Sequence, residues 1–381
     1  MLYTAPELLP LEHDVLGQIG EIRKNLKYAL GIPAKWYGSL RRSTFARAIR
    51  GSNSIEGFHV SAEDALAAVA GVEPTDAKAE TWHAIKGYRD AMTYILQLAH
   101  DPHFSYDESL FRGLHFIMLS YDLAKNPGRW RPGPISVIDE AKRERVYEGP
   151  DAEIIPGLVK ELTSWLQSGN NHVPAMVRAA MAHLNLTMIH PYSDGNGRMA
   201  RCLQTLVLAR EGILEPEFCS IEEYLGRNTP TYYQVLADVG QGSWHPENDA
   251  RQWIRFSLTA HYRQATSLLR RSKETARVWD QLETEVKRRG LPERMILALA
   301  DAAFGYRVKN ATYRSAAEVS ENVASRDLKD LTVQGLLIPS GEKRGRYYEA
   351  TQFVKLIRQN SREPKSTIDP FSIETLPLPG I

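Results

Sequence analysis

Apolar residues recur at three- and four-residue spacing along most of the chain, the pattern of helices that bury one face. The spacing predicts a helix over Leu11–Leu30, ended by Gly31-Ile32-Pro33, and another over Ala34–Ile49. Gly51-Ser52-Asn53-Ser54-Ile55-Glu56-Gly57 then interrupts the pattern. Ser61, followed by Glu63 and Asp64, reads as an N-cap with an acidic first turn. Further helices are predicted over Thr81–Leu98, Tyr106–Met118, Ala152–Gln167, Pro174–Ile189, Arg198–Glu211 and Thr231–Leu236, with a long one from Asp249 to Arg289.

Two stretches depart from this period. Gly128 to Pro134 is turn-rich, and the β-prone runs Ile135–Ile138 and Arg145–Tyr147 flank a polar loop, Asp139–Glu144. That predicts one β-hairpin in a helical protein. Near the C-terminus, Ser315–Ser320 reads as a short helix and Ser325–Leu331 as a second, capped by Ser325. Gly335–Pro339, a polar turn at Ser340–Gly345 and a strand at Arg346–Ala350 follow. The prolines of Pro364–Ile381 show no period, which predicts a poorly ordered extension. The expected fold class is mainly α, with one hairpin in the core and a small second domain.

Composition narrows the function only a little. The chain is 43% hydrophobic and 24% charged, as ordinary globular proteins are. Its formal net charge of +1 supplies no global attraction to nucleic acid or anionic membranes. The two cysteines, Cys202 and Cys219, have neither metal-ligand nor redox spacing. The start lacks a basic segment followed by an apolar run, and no apolar stretch nears the roughly 18 residues of a membrane span. A cytoplasmic location is expected.

The chemistry concentrates in His190-Pro-Tyr-Ser-Asp-Gly-Asn-Gly-Arg-Met-Ala-Arg201. Gly195 and Gly197 lie in a loop between two predicted helices, where successive N–H groups can point into one concavity at a helix N-terminus. Arg198 and Arg201 are one turn apart and suit phosphate oxygens. Asp194 offers a hard oxygen to Mg²⁺, and His190 titrates near neutrality. Taken singly, a Gly-x-Gly turn is more often structural and a histidine at a helix end more often packed. Together, a base, a metal ligand, an anion nest and two cations point to phosphoryl or nucleotidyl transfer.

This stretch resembles the signature of the Fic (Fic/Doc) family, His-Pro-Phe-x-Asp-Gly-Asn-Gly-Arg-x-x-Arg, departing only where Tyr192 replaces Phe. The resemblance implies protein adenylyltransfer, AMP passing from ATP to a Ser, Thr or Tyr hydroxyl. It makes His190 the base and Asp194 the Mg²⁺ ligand. Gly195, Asn196, Gly197 and Arg198 would hold the α- and β-phosphates, and Arg201 the γ-phosphate. The family's phosphotransferase branch carries Lys where Gly195 stands here. Transfer of phosphate, UMP or phosphocholine stays open as an alternative, as do self-modification, AMP removal and homo-oligomer formation.

Three further segments take roles from the same resemblance. The hairpin, with Ile135, Val137 and Ile138, matches the flap that registers a target protein by strand addition. Tyr224–Tyr233 resembles the border of the adenine pocket, with Asn228, Tyr232 and Tyr233 as lining candidates; these tyrosines read equally well as core. Ser52-Asn-Ser-Ile-Glu56-Gly57 resembles the inhibitory motif of class II members, in which the glutamate pairs with the second signature arginine, here Arg201. His183 lies seven residues before His190, but with no third ligand nearby it reads as a satisfied core histidine rather than half of a metal pair.

Residues 291–355 resemble a winged helix-turn-helix domain with its wing at Glu342–Arg346. Arg326, Lys329, Lys343, Arg344 and Arg346 would be its DNA contacts. Asp327 and Asp330 on the same helix weaken that reading, and a protein-binding role or simple packing is the alternative. An ATP-sensing DNA-binding regulator is the competing function. The expected organisation is an N-terminal helical region over 1–100 and a catalytic core over 101–260. A linking helix over 261–290, a winged helix over 291–355 and a tail over 356–381 complete it.

Overall fold

The computed structural model describes residues 1–31, 35–73, 78–139, 143–169, 172–212, 216–342 and 345–372. Helix α1 (Pro10–Gly31) lies along the much later α12 (Arg251–Arg288). Glu12 at its start is fully buried and accepts from Arg251 at 2.7 Å and Arg255 at 2.8 Å, which docks the two helices. Between them in sequence come α2 (Tyr37–Ile55), α3 (Ala62–Val69), α4 (Ala79–Leu98) and α5 (Glu108–Leu119). A two-stranded antiparallel hairpin follows, β1 (Ser136–Asp139) and β2 (Glu144–Glu148), with a register shift between Val137 and Ile138. Then come α6 (Ile155–Gln167), α7 (Ala175–Ile189), α8 (Asn196–Arg210) and the short α9 (Pro216–Cys219), α10 (Glu222–Arg227) and α11 (Thr229–Gly240).

Helices α7 and α8 are buried on nearly every side and form the centre of the bundle. A helix surrounded by protein must be small or apolar all round, and Ala179, Ala180, Ala182 and Ala200 provide that. The turn between these two helices is therefore held from all directions.

The second helix differs from expectation. It does not stop at Ile49 but runs to Ile55, through Gly51. That glycine does not break the helix; it permits contact. A Cβ on Gly51 would lie 2.4 Å from the backbone oxygen of Glu222, and one on Gly226 would lie 2.7 Å from that of Gly51. The α2 and α10 backbones cross at these two glycines.

The chain past α12 builds a second core around Trp279, Leu282 and Leu299. It contains α13 (Met295–Ala303), α14 (Asn310–Ala317), α15 (Glu321–Val333), a hairpin of β3 (Leu337–Ser340) and β4 (Tyr347–Ala350), and α16 (Gln352–Asn360). Val308 bridges Tyr348 on the free side of β4. The helix expected over Ser315–Ser320 ends at Ala317, because Glu318 turns left-handed. The cap of α15 is Ser320, which accepts from Val323, not Ser325. Residues 261–288 are the larger part of α12, which runs unbroken from Arg251 and contributes to both cores.

The tail begins later than 356. Residues up to 360 finish α16, and those beyond strap along α12. There Arg263 donates to the carbonyls of Ser366 and Thr367, and Arg255 lies 5.6 Å from the Phe371 ring. The flap loop at 140–142, wing residues Lys343 and Arg344, and 373–381 lie outside the described residues. No helix among those described is long and apolar enough to cross a membrane.

Candidate active site

The α7–α8 turn presents its groups in a fixed order. His190 ends α7 in the left-handed region, φ 50° and ψ 57°. Its Nδ1 lies 3.1 Å from the Thr187 carbonyl, which can only accept, so Nδ1 carries the proton and Nε2 keeps a free lone pair. Burial lowers its pKa, with Arg131 acting in the same direction. The result is a neutral imidazole equipped to take a proton.

Asn196 closes the turn from within. Its side chain accepts from Tyr192 N at 2.9 Å and donates to Tyr192 O at 2.8 Å. Its side chain is therefore a brace, and only its amide is left to face a ligand. Gly195 adopts φ 79° as the N-cap of α8, packed so that a Cβ would meet Leu119 at 2.8 Å. The first amides of α8 have no intrahelical acceptors, as at any helix start.

Both arginines are nearly inaccessible, each at 1% exposure. Nε and Nη1 of Arg198 and Nη1 of Arg201 are buried without hydrogen-bond partners among the described residues. Buried cationic donors without acceptors are costly, and phosphate oxygens have the charge and geometry to satisfy them.

Arg201 is already partly claimed. Its Nε donates to Ser52 Oγ at 2.7 Å, and Nη2 donates to Ser52 O at 3.1 Å and to Glu56 Oε1 at 2.7 Å. Burial alone would lower the Arg201 pKa, but Glu56 reverses that and raises it. The same Glu56 oxygen lies 2.6 Å from where a Cβ on Gly197 would stand, so the carboxylate sits directly over the first turn of α8. Ser52 and Glu56 reach this point because α2 runs six residues further than its sequence suggests.

Asp194 Oδ1 accepts from Gly195 N at 2.6 Å, and Oδ2 pairs with Lys125 at 2.8 Å. Burial raises its carboxyl, but Lys125 and Arg198 outweigh that and hold it ionised below the usual range.

Three supporting residues carry no local signal in the sequence, because each comes from a distant segment. Lys125 is one. His115 is the second: its Nδ1 accepts from Gly128 N at 2.8 Å, so its Nε2 donates to Asp194 O at 2.9 Å. Burial pushes it down to about 4, keeping it neutral, and its ring stacks on Tyr192 at 3.7 Å. Tyr192, the departure from Phe, keeps that stack, and its hydroxyl is buried without a partner among the described residues. Arg131 is the third. Its backbone N donates to Pro191 O and its Nε to His190 O, both at 2.9 Å, and its Nη2 donates to Pro150 O.

Arg131 thus ties the turn to the base of the hairpin. Tyr147 of β2 adds a bond to Met188 O at 2.7 Å. The hairpin is anchored on its β2 side, while β1 pairs with β2 alone among the described residues. Ile135 and Val137 are half-buried beside the site, and Ile138 is 58% exposed.

The adenine-border candidates separate. Tyr232 belongs to the core: it is 1% exposed, and its hydroxyl meets His183 Nε2 at 2.9 Å. Tyr233 is half-exposed, and its hydroxyl donates to the carbonyl of Ile55 at 3.2 Å, next to Glu56 in sequence. Asn228 stays partly accessible between α10 and α11. His183 also meets Gln204 at 2.5 Å, and burial pushes it down to about 3, consistent with a satisfied core histidine. No cluster of three metal-ligating side chains occurs among the described residues.

Fold and site together define a helical domain built around a buried neutral histidine and a helix start lined by partnerless donors among the described residues. Residues 105–208 match the model of the Fic/DOC family, so the chain carries a domain of that family. A protein adenylyltransferase Fic from Nematostella vectensis is 26% identical over 258 residues, covering 66% of this chain and 55% of that protein. Protein adenylyltransferase fic-1 from Caenorhabditis elegans is 37% identical over 118 residues, covering 29% and 23%. The chain therefore spans about half the length of the first relative and under a quarter of the second. Among solved structures, a Fic family protein from Desulfovibrio desulfuricans G20 aligns with TM-score 0.59 at 20% identity, covering 92% of this chain and 99% of that one. Fic-1 from C. elegans aligns with TM-score 0.54 at 19% identity, covering 68% and 72%. These likenesses show the fold.

Proposed function

We propose that this protein is an adenylyltransferase that moves AMP from ATP to a hydroxyl of a target protein and is held off by its own Glu56. The observation that carries the reading is the unsatisfied donor set beside a free base. Among the described residues, Arg198 and Arg201 keep three buried nitrogens without acceptors, next to a neutral His190. The relatives named above as protein adenylyltransferases support it.

In this reading the triphosphate lies along the start of α8, its oxygens accepting from the loop amides, Arg198 and Arg201. The target hydroxyl attacks the α-phosphorus while its proton passes to His190 Nε2. The bond to the β-phosphate oxygen breaks, and pyrophosphate leaves. Asp194 suits Mg²⁺: it is a single ionised carboxylate at the mouth of an anion site, and Mg²⁺ takes its other ligands from phosphate and water. When bound, the ion supplies charge neutralisation to the leaving phosphates. Lys125 must then give up Asp194.

The target backbone adds to the unpaired edge of β1, with Ile135 and Val137 beside the site and Ile138 outward. Asn228 and Tyr233 border the adenine. Glu56 occupies the place of the γ-phosphate on Arg201, so ATP enters only in a pose unsuited to transfer. The cysteines, both buried and in no disulfide, fit the cytoplasm.

The test incubates Glu56→Gly protein with Mg²⁺ATP, alone and with cell lysate, and reads intact mass. The expected result is a protein carrying one AMP moiety, lost with His190→Ala. A phosphate-sized adduct, or labelling that survives His190→Ala, contradicts the reading.

The C-terminal unit supports a second element of the proposal, a winged helix that contacts nucleic acid through α15. Asp327 does not face outward, as its sequence position suggests. It is buried at 1% exposure, paired with Arg294 at 2.7 Å and bonded to Tyr313. Arg326, Lys329 and Arg346 are exposed, leaving Asp330 as the acidic residue partly accessible on that face. Mobility shifts of the full chain on duplex DNA that weaken as salt rises would support this; no shift at low salt would remove it.

A further inference from the structure

A cavity of about 710 Å³ lies between the helical bundle and the C-terminal unit, lined from α2, α10, α12, α13, α16 and the segment after α16. None of its lining residues belongs to the α7–α8 turn, and the proposed reaction makes no use of them. Its volume suits a nucleotide-sized ligand.

Its lining is far more basic than the chain as a whole. Arg47, Arg227 and Arg271 all converge on Glu223, at 3.8, 2.7 and 2.5 Å. Arg270 and Arg358 converge on Glu274, at 2.5 and 2.8 Å. Both carboxylates are buried behind the arginines and are not part of the lining. Lys355, Arg362 and Lys365 add three cations with no ion pair among the described residues. The acidic groups that do line the cavity, Asp301 and Glu363, are answered from outside it by Arg42 at 3.0 Å and Arg277 at 2.6 Å. Eight basic side chains thus stand against two carboxylates, an excess of six in a chain of net charge +1.

Such an excess stores repulsion unless an anion relieves it. Two donors also lack partners: Arg47 Nε and Arg358 Nη1 are buried without an acceptor among the described residues. Orphan guanidinium nitrogens in a basic cavity match the forked, multiply charged oxygens of phosphate groups. We propose that this cavity is a binding site for a small polyphosphate-bearing ligand, separate from the catalytic turn. The second independent cue is its make-up from two units, Arg47, Arg227, Arg270 and Arg271 from the bundle side and Lys355, Arg358, Arg362 and Lys365 from the C-terminal side. A bound polyanion would bridge them.

The experiment is calorimetric titration of the full chain with inorganic tripolyphosphate. An Arg198→Gln background weakens the catalytic anion site and so isolates the cavity. Binding is expected in that background, falling as salt is raised. Lys355→Gln, Arg362→Gln and Lys365→Gln together should weaken it by at least about tenfold, since each removes a charged donor. These three side chains hold no folding contact that an acid supplies, so thermal melting should match the parent. ATP in the same background identifies the source: tighter binding than tripolyphosphate means a nucleotide, and equal binding means the phosphates suffice. No tripolyphosphate binding, or binding unchanged by the triple substitution, overturns the proposal. Binding by a DNA duplex without tripolyphosphate binding overturns it equally.

Discussion

The α7–α8 turn and the basic cavity are two solutions to one problem, burying arginine beside carboxylate. At the turn, Glu56 stands on the ligand's side of Arg201, 2.7 Å from it and partly exposed. In the cavity, Glu223 and Glu274 stand behind their arginines, deep in the protein. In the proposed readings the first placement blocks a cation and the second presents one. A carboxylate's position relative to the anion path would then decide whether an ion pair inhibits or prepares a site. Helix α2 serves both places: Arg47, part-way along it, faces Glu223, and Glu56 caps its end.

His190 should give the largest effect. His190→Ala, made in the Glu56→Gly background, should lower AMP transfer by roughly a hundred- to ten-thousand-fold, the usual cost of losing a general base. Radiolabel incorporation measures it, and a loss under tenfold would remove His190 from that role. The pH profile is the next test. An imidazole acts as base only when neutral, and burial puts the His190 pKa below its ordinary 6.5. The rate should hold steady around neutrality and fall only as pH drops below 6.5. A fall beginning above pH 7 would contradict the burial argument.

Smaller effects sharpen the turn's own design. Ser52→Ala removes the acceptor of Arg201 Nε and leaves a buried charged donor unmet, a cost of about 1–3 kcal/mol in a denaturant titration. An unchanged midpoint would mean that water replaces the hydroxyl. Tyr192→Phe should be the mildest. It deletes a buried hydroxyl that has no partner among the described residues while keeping the ring on His115. Its melting temperature should be unchanged or slightly raised, because leaving a polar group unpaired in the interior costs free energy. A drop of several degrees would reveal a partner for the hydroxyl.

The turn was legible because its base, glycines and cations lie within twelve consecutive positions, His190 to Arg201. Its supports were not. His115, Lys125 and Arg131 come from the α5-to-hairpin segment, and the fold alone brings them to the turn. Gly51 misled in a different way. Read locally it interrupts a helix, but in the fold it admits the backbone of α10, and that extension carries Glu56 to Arg201. Tyr232 and Tyr233 are adjacent in sequence, yet one faces the core and the other the site, because α11 turns them about a hundred degrees apart. Asp327 is similar: its charge suggested an outward face, while Arg294 and Tyr313 hold it inward.

The central claim is that Glu56 on Arg201 holds off productive ATP. Its most direct test compares the initial rate of labelled AMP incorporation by the unaltered chain and by Glu56→Gly, at equal protein and saturating Mg²⁺ATP. Removing one charged hydrogen bond from a buried arginine should raise the rate by roughly tenfold or more. Equal rates in the two proteins would contradict it.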